Sequence, residues 1–172
     1  MRLFRSLTAA ATAVAITSFT SDSSLVVTSS GFANNASIPV KYSCEGGESS
    51  PPLLITNIPT NAQSLAIILH DPDAPVQGGF THWVMWNISP TENKIPENFK
   101  GAEQGLNGAK QKGYKGMCPP SGTHHYHFMV YALDSKLTLD NNATDKAALE
   151  AAMQGHIISQ GELVGLYKKI KP

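Results

Sequence analysis

The chain has 172 residues, of which 41% are apolar and 15% charged, the size and composition of one domain with a single hydrophobic core. Thirteen basic residues balance thirteen acidic ones, so no basic field is present to hold nucleic acid or an anionic membrane surface. No internal repeat or low-complexity tract interrupts the sequence.

At the start of the chain, Arg2 and Arg5 precede the apolar, small-residue run Leu7 to Phe19, and a Ser/Thr-rich stretch follows. This is the layout of a secretory signal peptide. It predicts a signal over residues 1–21, a single domain over 22–172, and export to a periplasm or the medium. A buried N-terminal helix is the weaker alternative, because the run is Ala/Thr-rich and uncapped. It is also shorter than the roughly 20 strongly apolar residues that cross a bilayer. No second hydrophobic run follows, so no transmembrane segment is expected in the mature chain. Export also bears on Cys44 and Cys118, the only cysteines, since an oxidising compartment lets an isolated pair persist as a disulfide. Joined, they close a loop of 74 residues, for which chain entropy gives at most about 4 to 5 kcal/mol. Two separate buried thiols are the competing arrangement.

Short β-type runs then recur at Leu25 to Thr28, Ile38 to Ser43, Leu53 to Ile58, Leu65 to His70, Trp83 to Ile88 and His127 to Leu133, punctuated by Gly, Pro, Asn and Ser. This rhythm predicts a mainly β fold, an antiparallel β-sandwich, rather than alternating βαβ units. One helix is predicted from a Thr144/Asp145 cap through Lys146 to Met153, ending near Gly155. The tail from His156 to Ile170 reads as a late strand, with a short helix as the alternative. Between Ser89 and Pro120 about thirty residues lack periodicity, and long connections of this kind are usually functional or disordered. Tyr114, Cys118 and the pair Pro119-Pro120 argue for an ordered loop against the body of the protein.

Two clusters concentrate the chemistry. Asp71-Pro72-Asp73-Ala74-Pro75 follows a strand directly, so two carboxylates emerge at a stiff corner. Thr81-His82-Trp83 opens the next strand, which brings His82 near that corner if the strands are hairpin partners. The second cluster, Gly122-Thr-His124-His125-Tyr126-His127, opens a strand whose alternation places His124 and Tyr126 on one face and His125 and His127 on the other. Each element alone has a plainer reading: a Pro-rigid turn with self-bonded aspartates, a satisfied strand histidine at His82, surface histidines at His125 and His127, and core tryptophans at Trp83 and Trp86 on opposite faces. Two carboxylates, two imidazoles and a phenol at strand ends are nonetheless costly to bury without a task.

Asp71-Pro-Asp-Ala-Pro75 with His82 and Asn87 resembles the first signature of the phosphatidylethanolamine-binding proteins, also called Raf kinase inhibitor-like proteins, and Gly122-Thr-His-His-Tyr126 resembles their second. Tyr42-Ser-Cys44-Glu-Gly-Gly, Ser50-Pro-Pro-Leu53, Gly113-Tyr114, Cys118-Pro-Pro120, Tyr131-Ala-Leu-Asp134 and Glu162-Leu-Val-Gly-Leu-Tyr167 are similar to the bacterial branch. The resemblance spans about Phe32 to Lys168. It implies a sandwich with one or two small peripheral helices and an anion pocket at one end. That pocket would be lined by Asp71, Asp73, His82, His124 and Tyr126 and rimmed at Pro120. No cofactor is implied. The expected ligand is a small phosphate-bearing molecule or a phospholipid headgroup, attracted by imidazoles whose pKa neighbouring aspartates raise. A protease or other protein inhibited through the rim is the further partner that membership allows.

Two departures stand out. His125 occupies the place where the family usually has Arg, making a bridge there dependent on pH. Thr81 stands where animal members carry another histidine, which makes the mouth less basic. The rival reading is a metal-dependent hydrolase built from Asp71, Asp73, His82 and His124, although no helical His-x-x-x-His spacing supports it. A nucleophilic hydrolase using Ser50 or Ser121 is weaker still, because neither sits in a Gly-x-Ser-x-Gly elbow.

Overall fold

Two β-sheets and one short helix form within residues 24–170, the span that the computed structural model describes. The predicted signal, residues 1–21, lies outside the described residues. In chain order the elements are β1 (Val26–Thr28), β2 (Ala36–Ser37), a 3-10 turn (Val40–Tyr42), β3 (Leu53–Thr56), β4 (Ser64–Asp71), β5 (Phe80–Ile88), β6 (Lys94–Ile95), β7 (Glu103–Gln104), β8 (Thr123–Leu133), α1 (Lys146–Met153) and β9 (Ile157–Lys168). The small sheet runs β1-β3-β6 and the large one β2-β9-β8-β4-β5-β7. Pairing is antiparallel except at one edge, where β2 lies parallel to β9.

Alternation along the large sheet sorts its side chains into two cores. Leu65, Ile67 and Leu69 of β4, with Phe128 and Val130 of β8, face the small sheet and pack with Val27, Leu53, Ile55 and Ile95. Ala66, Ile68, Val84 and Trp86 face the other way and are covered by Leu149 and Met153 of α1. The helix begins as predicted, with the Asp145 carboxylate accepting from the Ala148 N–H at 3.2 Å. The expected strand over Ile38 to Ser43 is instead the 3-10 turn: Pro39 precedes it and the Ser43 N–H closes on the Val40 carbonyl at 2.9 Å.

The long stretch after Ser89 is ordered: it supplies the edge strands β6 and β7 and, beyond Gln104, a loop laid against the body of the protein. Cys44 and Cys118 are joined in a disulfide, and the Cys44 N–H donates to the Met117 carbonyl at 3.1 Å. The Tyr114 hydroxyl donates to the Tyr42 carbonyl at 2.6 Å. Gly116 passes so close that a Cβ there would lie 2.7 Å from the Ser43 carbonyl carbon, so only glycine permits the two segments to meet. Because the staple closes 74 residues, the Cys44→Ser/Cys118→Ser pair is expected to cost about 2 to 5 kcal/mol. Urea unfolding checks the loss, and limited proteolysis should then cut first between Gly113 and Pro120.

Candidate functional site

The inward row of β4 and β8 is apolar up to Leu69 and Phe128 and then turns polar. Continuing the same alternation, Asp71 on β4 and Tyr126 and His124 on β8 occupy the end of that row and are buried, with 2%, 0% and 7% exposure. Asp71 has two donors. Its Oδ1 accepts the Asp73 N–H at 2.9 Å, the Asx-type turn that starts the Pro-rich corner. Its Oδ2 lies 2.8 Å from His124 Nδ1. An ionised carboxylate only accepts, so Nδ1 carries the proton and Nε2 is left for another partner.

His82 joins this group through an irregularity of β5. The register pairs Leu69 with Trp83 but His70 with Thr81, so β5 carries one extra residue at this point. Strict alternation would send His82 to the face opposite Trp83. The bulge turns it inward, where its ring stands 5.2 Å from the Tyr126 ring and 4.8 Å from that of Phe80. Just before β5, Gly79, at φ 73°, passes close to the end of β4, where a Cβ would meet the Asp71 carbonyl at 2.5 Å. His82 Nδ1 donates to the Lys115 carbonyl at 2.9 Å, so the disulfide-held loop forms its wall.

The charge state differs from expectation. No aspartate bonds His82; burial at 4% exposure dominates and lowers its pKa to about 4. At neutral pH this imidazole is uncharged, and its Nε2 is an acceptor. Tyr126 has a buried hydroxyl with no well-formed hydrogen bond, and burial, then the Asp71 charge and a weak hydrogen bond to the same carboxylate, push its pKa well above the usual phenol range. The phenol is a neutral donor. It lies between the imidazoles, with the His124 ring stacked 6.5 Å away.

Asp73 bonds outside this cluster. The Asp73 carboxylate accepts from both the backbone N–H and Nδ1 of His125, at 2.8 and 2.7 Å, on the exposed rim. These bonds hold its pKa below the ordinary carboxylate value. His125 thus takes up the pairing expected at the place of the family's Arg. Pro120 is exposed, while Pro119 is buried. Sequence reasoning missed the Lys115 carbonyl, because a backbone acceptor has no residue signature. Among the described residues no three His, Cys, Asp or Glu side chains converge to hold a metal ion.

The neutral state of His82 has a consequence for stability. Its unfolded pKa of 6.5 lies above the folded value of about 4, so the unfolded chain binds protons first. The contribution of His82 is therefore complete above pH 6.5 and shrinks by on the order of 3 kcal/mol as pH falls toward 4. Urea midpoints measured from pH 7 to pH 4 should show this decline. At pH 7, His124→Ala should cost about 3 kcal/mol because buried Asp71 loses a partner. Tyr126→Phe, removing a hydroxyl without a well-formed hydrogen bond, should stay within about 1 kcal/mol of the parent.

The sequence profile of the phosphatidylethanolamine-binding protein family matches residues 28–168. A UPF0098 protein of Pyrococcus abyssi is 52% identical over 156 residues, covering 84% of this chain and 86% of that relative. Among solved structures, a phosphatidylethanolamine-binding protein homolog of Chlamydia trachomatis superposes with a TM-score of 0.81 at 42% identity, over 85% of this chain and 98% of that one. YbcL of E. coli, a member of the mammalian family, gives 0.80 at 29% identity over 86% and 99%. With the profile covering most of the chain and the fold superposing on solved members over about 85% of its length, the chain belongs to the phosphatidylethanolamine-binding protein family.

Proposed function

We propose that the protein binds the phosphoryl group of a small molecule or lipid headgroup where His82, His124 and Tyr126 meet above Asp71. The observation that carries this reading is the buried Tyr126 hydroxyl, which makes no well-formed hydrogen bond and has only the nearby Asp71 carboxylate as a weak partner, between two imidazoles whose Nδ1 atoms are already engaged. A native fold leaves few such groups unsatisfied. The phenol would donate to a phosphoryl oxygen, and the two Nε2 atoms would share protons with the others. Those protons come from a phosphate monoanion or are taken up from solvent as the anion binds. Attraction by a standing positive charge is not required. The Asp71 carboxylate, next to the phenol, disfavours a bare dianion and favours the protonated or zwitterionic form.

Export is part of the proposal. A disulfide between Cys44 and Cys118 is at home in an oxidising compartment, in keeping with the basic and apolar start of the chain. Inhibition of an extracellular protease through the rim formed by Asp73, His125 and Pro120 is a use that this location would allow.

Calorimetric titration with phosphoethanolamine tests the reading. Because binding takes up a proton, affinity should rise roughly tenfold from pH 7.5 to pH 5.5, and the heat should vary with the ionisation enthalpy of the buffer. Tyr126→Phe should weaken binding about fivefold or more. Affinity that is flat across this range, or indifferent to Tyr126→Phe, would overturn it.

A further inference from the structure

Between the wall at Lys115 and the strand that carries His124 and Tyr126 runs the segment Cys118-Pro-Pro-Ser-Gly122. This strap borders the candidate site at both ends, yet its own attachment is slight. Among the described residues it makes no backbone hydrogen bond, and Pro119 and Pro120 have no N–H to give. Pro119 is buried, but Cys118, Pro120, Ser121 and Gly122 are exposed. Gly122 stands at φ 70°, and a Cβ there would meet nothing within 4 Å. The far end of the strap is thus a glycine hinge in open space.

The disulfide to Cys44 is what fixes the strap, and its two ends differ. Cys44 is half-buried, in a segment tied down on both sides of it. Ser43 Oγ lies 2.7 Å from the Tyr167 hydroxyl, which donates to the Glu45 carboxylate at 2.5 Å; that carboxylate also accepts the Ile170 N–H at 2.8 Å. Cys118, by contrast, is exposed, so the bond reaches the surface at its less anchored end. Upstream of Cys118 the wall has bonds of its own. Besides the Tyr114–Tyr42 bond, the Cys44 N–H donates to the Met117 carbonyl at 3.1 Å and the Lys115 N–H to the His82 carbonyl at 2.8 Å. Breaking the disulfide therefore releases the strap while Lys115 stays beside His82.

We infer that the Cys44–Cys118 disulfide is a thiol-exchange site that latches this strap beside the phosphoryl pocket, so that its reduction weakens ligand binding. The effect on binding rests on the phosphoryl reading given above. Surface disulfides are the ones that exchange readily, and a dithiol supplies the electrons. One of its thiolates attacks Cys118 Sγ; the new bond replaces the bond to Cys44 Sγ, which leaves as a thiolate and is protonated by water. The second thiol of the same reagent then attacks its own sulfur in the mixed disulfide and expels Cys118 as the other thiol. The protein gains two electrons and two protons, and the dithiol becomes a disulfide. A freed strap has to be ordered again when ligand binds, at the expense of affinity.

Dithiothreitol added without denaturant to the purified protein tests this, with mass after alkylation reporting the thiols formed. Reduction should run to completion in the folded state, leaving the core amide signals of Ile67, Phe128 and Val130 in place and shifting those of Ser121 and Gly122. Affinity for phosphoethanolamine should fall about fivefold or more and return on reoxidation. Cys44→Ser/Cys118→Ser should bind like the reduced protein and be indifferent to dithiothreitol. A disulfide that resists dithiothreitol until the protein unfolds, loss of the core signals on reduction, or an affinity unchanged by reduction would each overturn the inference. Absence of phosphoethanolamine binding by the oxidised protein would instead sink the phosphoryl reading; the latch is then judged by the Ser121 and Gly122 signals, and their failure to shift on reduction would overturn it as well.

Discussion

The buried carboxylate of Asp71 is the constraint around which the pocket end of this protein is organised. An ionised group at 2% exposure persists only if its oxygens are matched by donors. Here the two donors come from different parts of the chain: the Asp73 N–H of the corner that follows β4, and Nδ1 of His124 on β8. Satisfying the charge therefore fixes the corner against the neighbouring strand, sets the His124 tautomer and places negative charge beside the Tyr126 phenol. The site is held in shape by the same bonds that make its burial tolerable.

Around that carboxylate, geometry comes from irregularities rather than from regular structure. The extra residue of β5 turns His82 toward Tyr126, and the loop tied down by Cys44 and Cys118 supplies the Lys115 carbonyl that orients its ring. Burial then leaves this imidazole neutral. On the proposed reading, such a site would exchange protons with its ligand, with fixed acceptors and one buried donor, rather than hold a permanent cationic field. The rim carries the remaining charge pair, Asp73 with His125, out in solvent, where screening makes it a weak contributor to affinity and stability.

The loop from Gly113 to Cys118 orients His82 through the Lys115 carbonyl. Its own anchoring rests on the disulfide, the Tyr114–Tyr42 bond and the close passage of Gly116. A wall held this firmly keeps the His82 ring in place.

Much of this was legible in the linear sequence, for local reasons. Period-two alternation in β8 correctly placed His124 and Tyr126 together and His125 and His127 opposite. Trp83 and Trp86 fall in different cores as their spacing requires, and the cap at Asp145 starts α1 where its chemistry indicated. The motifs around Asp71, His82 and His124 were enough to identify the family. What the tertiary structure alone decided is the direction and charge of His82, the partnering of Asp73 with His125 rather than with an inward imidazole, the turn in place of a strand at Val40 to Tyr42, and the burial of the Tyr126 hydroxyl without a well-formed hydrogen bond. The physical reason is common to all of them. Alternation and capping depend on residues a few positions apart, whereas bulge register, desolvation and hydrogen-bond satisfaction depend on what distant segments bring alongside.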